Sequence, residues 1–169
     1  MFPTLTDDQF DVLTKRYATV DPLKHIDERI RGLVQTLGEQ PGVVPIWSCS
    51  GHTHEEQLAK DPESESEPDP NDDGHVIFGI NRTGAATIFK LTRFLHEMVD
   101  YDKIWRTLRP SLSCKSLLWA FSENFHDDVQ KKVLYQCWEL NFLGSFKPKN
   151  HPVQEEFCQQ LKDYLSARP

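Results

Sequence analysis

The chain has 169 residues, the length of one domain, and with 38% hydrophobic and 11% aromatic residues it can bury a core. No run of residues approaches the ~18 consecutive apolar positions that a membrane helix needs, and the N-terminus shows neither the basic nor the apolar part of a secretory signal. These features argue against a membrane protein, and we expect a single soluble domain in the cytoplasm.

The net charge of −7 comes from one segment. Lysine and arginine total 19 against 26 acidic residues, and positions 61–73 contain seven of those acids and no base, so the rest of the chain balances at 19 against 19. The chain outside this segment has no net charge, whereas many nucleic-acid-binding domains carry a net positive charge. Proline, serine and like charges predict a disordered acidic insertion at about residues 57–74, and a partner-binding acidic segment is the alternative.

Start and stop signals predict two helices in the first 40 residues. Thr6 and Gln9 form a capping box that opens a short helix. Asp21 followed by Pro22 predicts the start of a second helix, which Gly38 ends. The apolar residues of this second helix recur at helical spacing: Leu23, Ile26, Ile30, Leu33, Val34 and Leu37.

The middle of the chain predicts two strands and two helices. Residues 43–47 predict a buried strand, in which Pro45 indicates an edge position or a bulge, and residues 75–80 predict the next strand. Thr83 is expected to cap a helix, and residues 100–108 are expected to form another helix after a bend. The predicted apolar stripe of the first of these helices is Ile88, Leu91, Leu95 and Met98.

The last third predicts a hairpin and a helix. Residues 112–122 and 131–142 read as strands joined by a loop at 124–128, although the second run also fits a helix. Alternation favours the strand, because it places one set of residues on one face: Leu134, Gln136, Trp138, Leu140 and Phe142. Pro152 opens a final amphipathic helix. This order predicts an α+β fold, with helices packed on a mixed, mostly antiparallel sheet.

The first strand runs into a motif of small and reactive residues. The motif consists of Ser48, Cys49, Ser50, Gly51 and His52. Gly51 permits a positive φ, so successive N–H groups can face one concavity, and the serine hydroxyls add donors for a phosphate or carboxylate. We therefore predict a ligand-binding site here. The alternative is a polar strand end in which Cys49 acts as a small buried hydrophobe.

Two other chemistries fit this motif less well. Catalysis by Cys49 needs a base and an orienting carboxylate, and spacing alone does not identify the carboxylate, so the catalytic residues stay unknown. Cys49, His52, His54 and His75 have the ligand types of a zinc site, but their spacing is no established signature, so we predict no metal. The four cysteines form no C-x-x-C pair, and we expect reduced thiols.

A second turn has the character of an anion site. Arg82 and Thr83 lie between a predicted strand and a helix, where free N–H groups and the helix dipole favour negative charge. Ordinary capping by Thr83 is the alternative. If the two predicted strands are parallel neighbours, this turn and the Ser-Cys-Ser-Gly-His motif converge on one ligand. If the strands are antiparallel, the two turns lie at opposite ends.

Residues 26–52 resemble the Ser-Ser-Cys-Ser-Gly-Arg region of the wybutosine-synthesis tRNA methyltransferases, in which a helix precedes a strand ending in this signature. Ser48, Cys49, Ser50 and Gly51 match its centre, whereas His52 stands where that family has arginine. The order of elements downstream is also similar. The resemblance implies S-adenosylmethionine as a cofactor and tRNA as a ligand.

Two functional hypotheses follow. The leading one is binding of a nucleotide, an adenosyl cofactor or an RNA end at the motif, with Arg82 and Thr83 as further contributors; in a methyltransferase-like protein the chain would position a cofactor that carries the chemistry. Whether the protein is an enzyme stays open. The rival is a non-catalytic interaction protein of the phage or mobile-element type that binds and inhibits another protein, which the acidic segment and the many aromatic residues also fit.

Overall fold

The computed structural model describes residues 2–19, 21, 25–60, 72–119 and 133–167. The strands in these ranges form one sheet in the order β1-β2-β4-β3, and every neighbouring pair is antiparallel. Their bounds are Val43–Gly51 for β1, Asp73–Ile80 for β2, Ser111–Trp119 for β3 and Val133–Phe142 for β4. The expected α+β fold is confirmed, with a sheet that is antiparallel throughout its described strands.

Five α-helices of seven or more residues accompany this sheet within the described ranges. They are α1 (Asp7–Thr19), α2 (Glu28–Gly38), α3 (His54–Lys60), α4 (Ala85–Arg93) and α5 (His151–Ser166). Two π-helical turns, Phe94–Met98 and Tyr101–Trp105, and the helical turn Arg106–Leu108 follow α4, and a 3₁₀ turn, Pro148–Asn150, precedes α5. None of the helices in the described ranges combines the length and apolarity that crossing a membrane requires.

Alternation along the strands divides the core into two layers. Val76, Phe78 and Ile80 of β2 pack with α2, α4 and α5 on one face of the sheet. Ile77 lies in a separate cluster on the other face, with Leu13 of α1. Trp138, Leu140 and Phe142 of β4 all join the first cluster, so the strand interpretation is confirmed for residues 133–142.

Local signals correctly predicted the start of α1 and the character of β1. The Thr6 N–H donates to Gln9 Oε1 (3.1 Å) and the Gln9 N–H donates to Thr6 Oγ1 (3.2 Å), as a capping box requires. β1 lies at the edge of the sheet, and its register with β2 shifts between Pro45 and Trp47. Pro45 therefore lies in an edge strand and at a bulge, two positions that tolerate a residue without a backbone N–H to donate to a neighbouring strand.

The predicted second helix is interrupted at Ile26 and Asp27. His25, before the interruption, is helical, and its N–H donates to the Asp21 carbonyl (3.0 Å). Residues 22–24 lie outside the described ranges, and the continuous helix starts at Glu28, because Asp27 has an extended backbone (φ −56°, ψ 136°). Asp27 makes no side-chain cap bond to α2. Its carboxylate instead accepts from the backbone N–H of Ser50 in β1, and this contact holds Asp27 outside the helix.

The predicted apolar stripe is wrong at Met98. Ile88 and Leu91 are buried and Leu95 packs against the core, as predicted, whereas Met98 is exposed and Phe94 is buried. The π-helical turn over residues 94–98 adds a residue to the turn and shifts the buried face.

The boundaries of the predicted acidic insertion also change. Residues 57–60 belong to α3 and residues 73–74 belong to β2. Residues 61–71, and the predicted hairpin loop at 124–128, lie outside the described ranges.

Candidate functional site

The Ser-Cys-Ser-Gly-His motif lies largely within β1, where we had predicted a turn following the strand. β1 extends to Gly51, and Cys49 pairs with His75 while Gly51 pairs with Asp73 of β2. Gly51 has the expected positive φ of 82°. The chain leaves the sheet only at His52, so alternate motif residues face opposite sides of an edge strand.

The anion bound by this motif is a side chain of the protein itself. The Asp27 carboxylate accepts from the Ser50 N–H (3.0 Å), and its Oδ2 also lies 3.2 Å from Nε2 of His52. The Gly51 N–H points at Cys49 Sγ (3.4 Å). The carboxylate in contact with the motif therefore comes from the residue that precedes α2, and it is not a bound ligand.

His52 lies between two carboxylates and a thiol. Its Nδ1 is 2.6 Å from Asp72 Oδ2 and 3.2 Å from Cys49 Sγ, and its side chain is only 12% exposed. The hydrogen bond to Asp27 and then that to Cys49 raise the pKa of His52 to about 10, with Asp72 adding to the rise and burial opposing it. His52 therefore carries both ring protons at neutral pH.

A second polar group lies on the helix-covered side of β1. Ser50 is 2% exposed, and its Oγ accepts from Nη2 of Arg29 (3.0 Å). Arg29 also donates to the Gly51 carbonyl and to Nδ1 of His151 (2.8 Å). Nε2 of Gln154 donates to the Ser50 carbonyl (2.7 Å). Ser50 thus joins α2, β1 and α5, and these contacts are structural.

A cavity of about 450 Å³ opens between α1, α2 and the bulged part of β1. Of the five motif residues, Ser48 alone lines it. Its other lining residues combine apolar, aromatic and basic side chains: Leu13, Arg16, Tyr17, Thr19, His25, Ile26, Val34, Pro45, Ile46 and Trp47. The motif residues predicted to share one ligand therefore lie in three different places. Ser48 lines this cavity, Cys49 and His52 contact Asp72, and Ser50 and Gly51 contact Arg29.

Arg82 and Thr83 lie at the opposite end of β1 and β2. Val43 pairs with Ile80, just before this turn, whereas Gly51 pairs with Asp73 at the other end. The nine residues of β1 separate the two ends by roughly 25 Å at ~3.3 Å per residue. Arg82 and Thr83 are exposed and do not converge with the motif on one ligand.

The cap predicted for Thr83 is supplied by Asn81. Oδ1 of Asn81 accepts from the N–H of Thr83 (2.9 Å) and from that of Gly84 (3.3 Å), and α4 starts at Ala85 with no side-chain cap from Thr83. An Asx turn, in which the Asn81 side chain accepts from the backbone two and three residues later, therefore takes the place of the predicted threonine cap.

The structure does not bring together the four residues considered as a zinc site, Cys49, His52, His54 and His75. Nδ1 of His75 lies 3.2 Å from the carbonyl of Asp73, and the side chain of His54 is outside the described part of the chain. Among the described residues, ligand atoms of Asp27, Cys49 and His52 lie within 4.8 Å of one another. The two carboxylate partners of His52 were not identified from the sequence, because the pattern places Asp27 in a helix and Asp72 in the acidic insertion.

The chain has no significant match among protein-family models, curated proteins or solved structures.

Proposed function

We propose that the protein binds an anionic ligand of the nucleotide class in the cavity between α1, α2 and β1. The observation that carries the proposal is that Trp47 and Tyr17 line the same cavity as the basic residues Arg16 and His25. The volume of about 450 Å³ lies within the ~300–1,000 Å³ typical of small-molecule sites. A planar base and a phosphate need this combination of surfaces.

The aromatic residues supply the surfaces on which a base can stack. Trp47 follows the β1 bulge and is 51% exposed, which is unusual for so large an apolar side chain. Bulges commonly re-aim a side chain beside a binding site. Tyr17 lies on α1, and burial raises the pKa of its phenol, so it stays neutral and can also pack against a ring.

The charges favour an anion over a cation. Burial lowers the pKa of Arg16, yet a guanidinium keeps its charge at neutral pH, and partial burial strengthens its attraction for a phosphate. No acidic residue is found among the described residues that line the cavity.

The same charges predict an order of affinity among ligands that contain adenosine. S-adenosylmethionine shares the adenine ring with adenine nucleotides, but its sulfonium and ammonium groups are repelled by the guanidinium of Arg16. We therefore expect an adenine nucleotide, or an RNA end with a terminal phosphate, to bind more tightly than S-adenosylmethionine. The methyltransferase-like hypothesis requires the reverse order.

Calorimetric titration with AMP tests the proposal. We expect the wild-type chain to bind AMP, and Trp47→Ala to weaken that binding at least about fivefold, since stacking of one base contributes ~1–3 kcal/mol. Tyr101→Ala is the matched control, because Tyr101 is an exposed aromatic residue that does not line the cavity. Absence of AMP binding, or equal losses in both variants, would refute the proposal. Tighter binding of S-adenosylmethionine than of AMP would favour the methyltransferase-like hypothesis.

A second candidate function is binding to another protein. Phe89, Met98 and Tyr101, on α4 and the turns after it, are 63%, 56% and 63% exposed. Large exposed apolar residues on neighbouring elements are typical of interaction surfaces. A stoichiometric protein partner that is lost in Phe89→Ser, together with no stabilisation by nucleotides, would favour this candidate.

A further inference from the structure

Three side chains at the end of β1 present metal-binding atoms to one point. Cys49 Sγ lies 3.2 Å from His52 Nδ1 and 3.6 Å from Asp72 Oδ2, and the last two atoms are 2.6 Å apart. A thiolate, an imidazole and a carboxylate are the three ligand types that zinc accepts. Each comes from a different backbone position: β1, the residue after β1, and the residue before β2.

The separations are close to those of a tetrahedral site. Ligand atoms ~2.0–2.3 Å from a zinc ion lie roughly 3.3–3.6 Å from one another. The distance of 3.6 Å from Cys49 to Asp72 already lies in this range, and that of 3.2 Å from Cys49 to His52 is about 0.1 Å short of it. The distance of 2.6 Å between His52 and Asp72 has to open by about 0.7 Å. The side chain of Asp72 is one-quarter exposed, which leaves it room to move.

Asp27 adds the contact that orients a metal-bound histidine. Its Oδ2 lies 3.2 Å from Nε2, the ring nitrogen opposite Cys49 and Asp72. The Ser50 N–H holds the same carboxylate oxygen in place. A carboxylate on the second ring nitrogen keeps a proton on Nε2, so a metal ion binds the ring at Nδ1.

We propose that Cys49, His52 and Asp72 bind a divalent transition-metal ion of the zinc class, with Asp27 as the positioning residue of His52. The ion displaces the thiol proton of Cys49 and the Nδ1 proton of His52, and both protons pass to solvent. Three protein ligands leave the fourth tetrahedral position for a water molecule or another ligand. This site is separate from the nucleotide cavity, whose lining includes none of the four residues.

Cobalt substitution tests this site directly. The full chain is freed of metal with a chelator, transferred to buffer without it and titrated with Co²⁺. We expect one equivalent to bind, with tetrahedral d–d absorption and a thiolate-to-cobalt charge-transfer band that Zn²⁺ abolishes by competition. Absence of these bands in the wild-type chain would overturn the proposal, and the cluster would then be a hydrogen-bonded network only.

Four variants separate the proposed roles. Cys49→Ser should lose the charge-transfer band and Asp72→Asn should bind at least 100-fold more weakly. Asp27→Asn should keep the band but bind ~10–100-fold more weakly, as expected for a residue that acts through another. Cys114→Ser is the matched control, since Cys114 is exposed on β3, and it should bind as the wild type does. A band that persists in Cys49→Ser, or that disappears in Cys114→Ser, would refute the assignment.

Discussion

Asp27 and His52 are joined by a contact of 3.2 Å between a carboxylate oxygen and Nε2 of the imidazole. The same oxygen accepts from the backbone N–H of Ser50. One residue at the start of α2 therefore fixes both the backbone of β1 and the ring orientation of the histidine that follows it. The position of His52 relative to Cys49 and Asp72 depends on this arrangement.

Asp27→Ala should destabilise the fold. Ser50 is 2% exposed, so removal of the carboxylate leaves a buried N–H without this acceptor and removes one partner of the protonated His52. A buried donor left unsatisfied costs ~1–3 kcal/mol, and we expect a loss of that size in the free energy of unfolding, measured in urea with a chelator present.

Asp102→Ala is the matched control for this prediction. The side chain of Asp102 is 82% exposed, and its pair with Arg106 is an exposed i,i+4 contact. Its removal should change the free energy of unfolding by less than about 0.5 kcal/mol. Equal values for the two variants would contradict the structural role of Asp27.

Gly51→Ala should be more damaging than the same change at another glycine with positive φ. A Cβ at Gly51 would lie 2.5 Å from Ser145 Oγ and 2.8 Å from the Asp72 carbonyl, and φ is 82°. Strain and overpacking together should cost about 2–4 kcal/mol.

Gly144 provides the comparison. Its φ is 78°, but a Cβ there would meet its nearest atom at 3.3 Å. Gly144→Ala should therefore show only the conformational cost of ~1 kcal/mol. Thermal unfolding of the two variants measures the difference, and a smaller loss at Gly51 than at Gly144 would show that the end of β1 is not as tightly packed as described.

Stability should fall on acidification because of His151. Nδ1 of His151 accepts from Arg29 (2.8 Å), which requires a neutral ring. Burial first, and then the charge of Arg29, lower the pKa of His151. The unfolded chain therefore takes up this proton at a higher pH than the folded chain does. The stabilising contribution of His151 is complete above about pH 6.5 and is lost as the pH falls through its lower folded value.

His151→Gln isolates this effect, since the glutamine oxygen can accept from Arg29 and does not titrate. Unfolding free energies measured from pH 7.5 to pH 5 should decline less steeply in the variant than in the wild type. Parallel curves would mean that His151 titrates alike in the folded and unfolded chains.

Features set by neighbouring residues were predictable from the sequence. The capping box at Thr6 and Gln9, the edge character of Pro45 and the strand over residues 133–142 each depend on a few adjacent positions. Gly51 likewise has the positive φ expected of it.

Only part of the site was predictable. Cys49 and His52 belong to the motif singled out in the sequence, whereas Asp27 and Asp72 reach them through pairings between distant parts of the chain. Asp72 reaches His52 only because β1 and β2 are antiparallel, and the same pairing sends Arg82 to the far end of the sheet. Asp27 was indistinguishable in sequence from the first residues of a helix. The π-helical turn after α4 changes the period on which the burial of Met98 was predicted.

The most direct test of the nucleotide site is a titration of the ¹⁵N-labelled chain with AMP, followed through the indole N–H signals of its four tryptophans. We expect the indole signal of Trp47, identified by its loss in Trp47→Phe, to shift progressively to saturation, together with the backbone amides of Ile46 and Ser48. Shifts centred instead on Arg82, Thr83 and Gly84, or no shift at a saturating concentration of AMP, would contradict it.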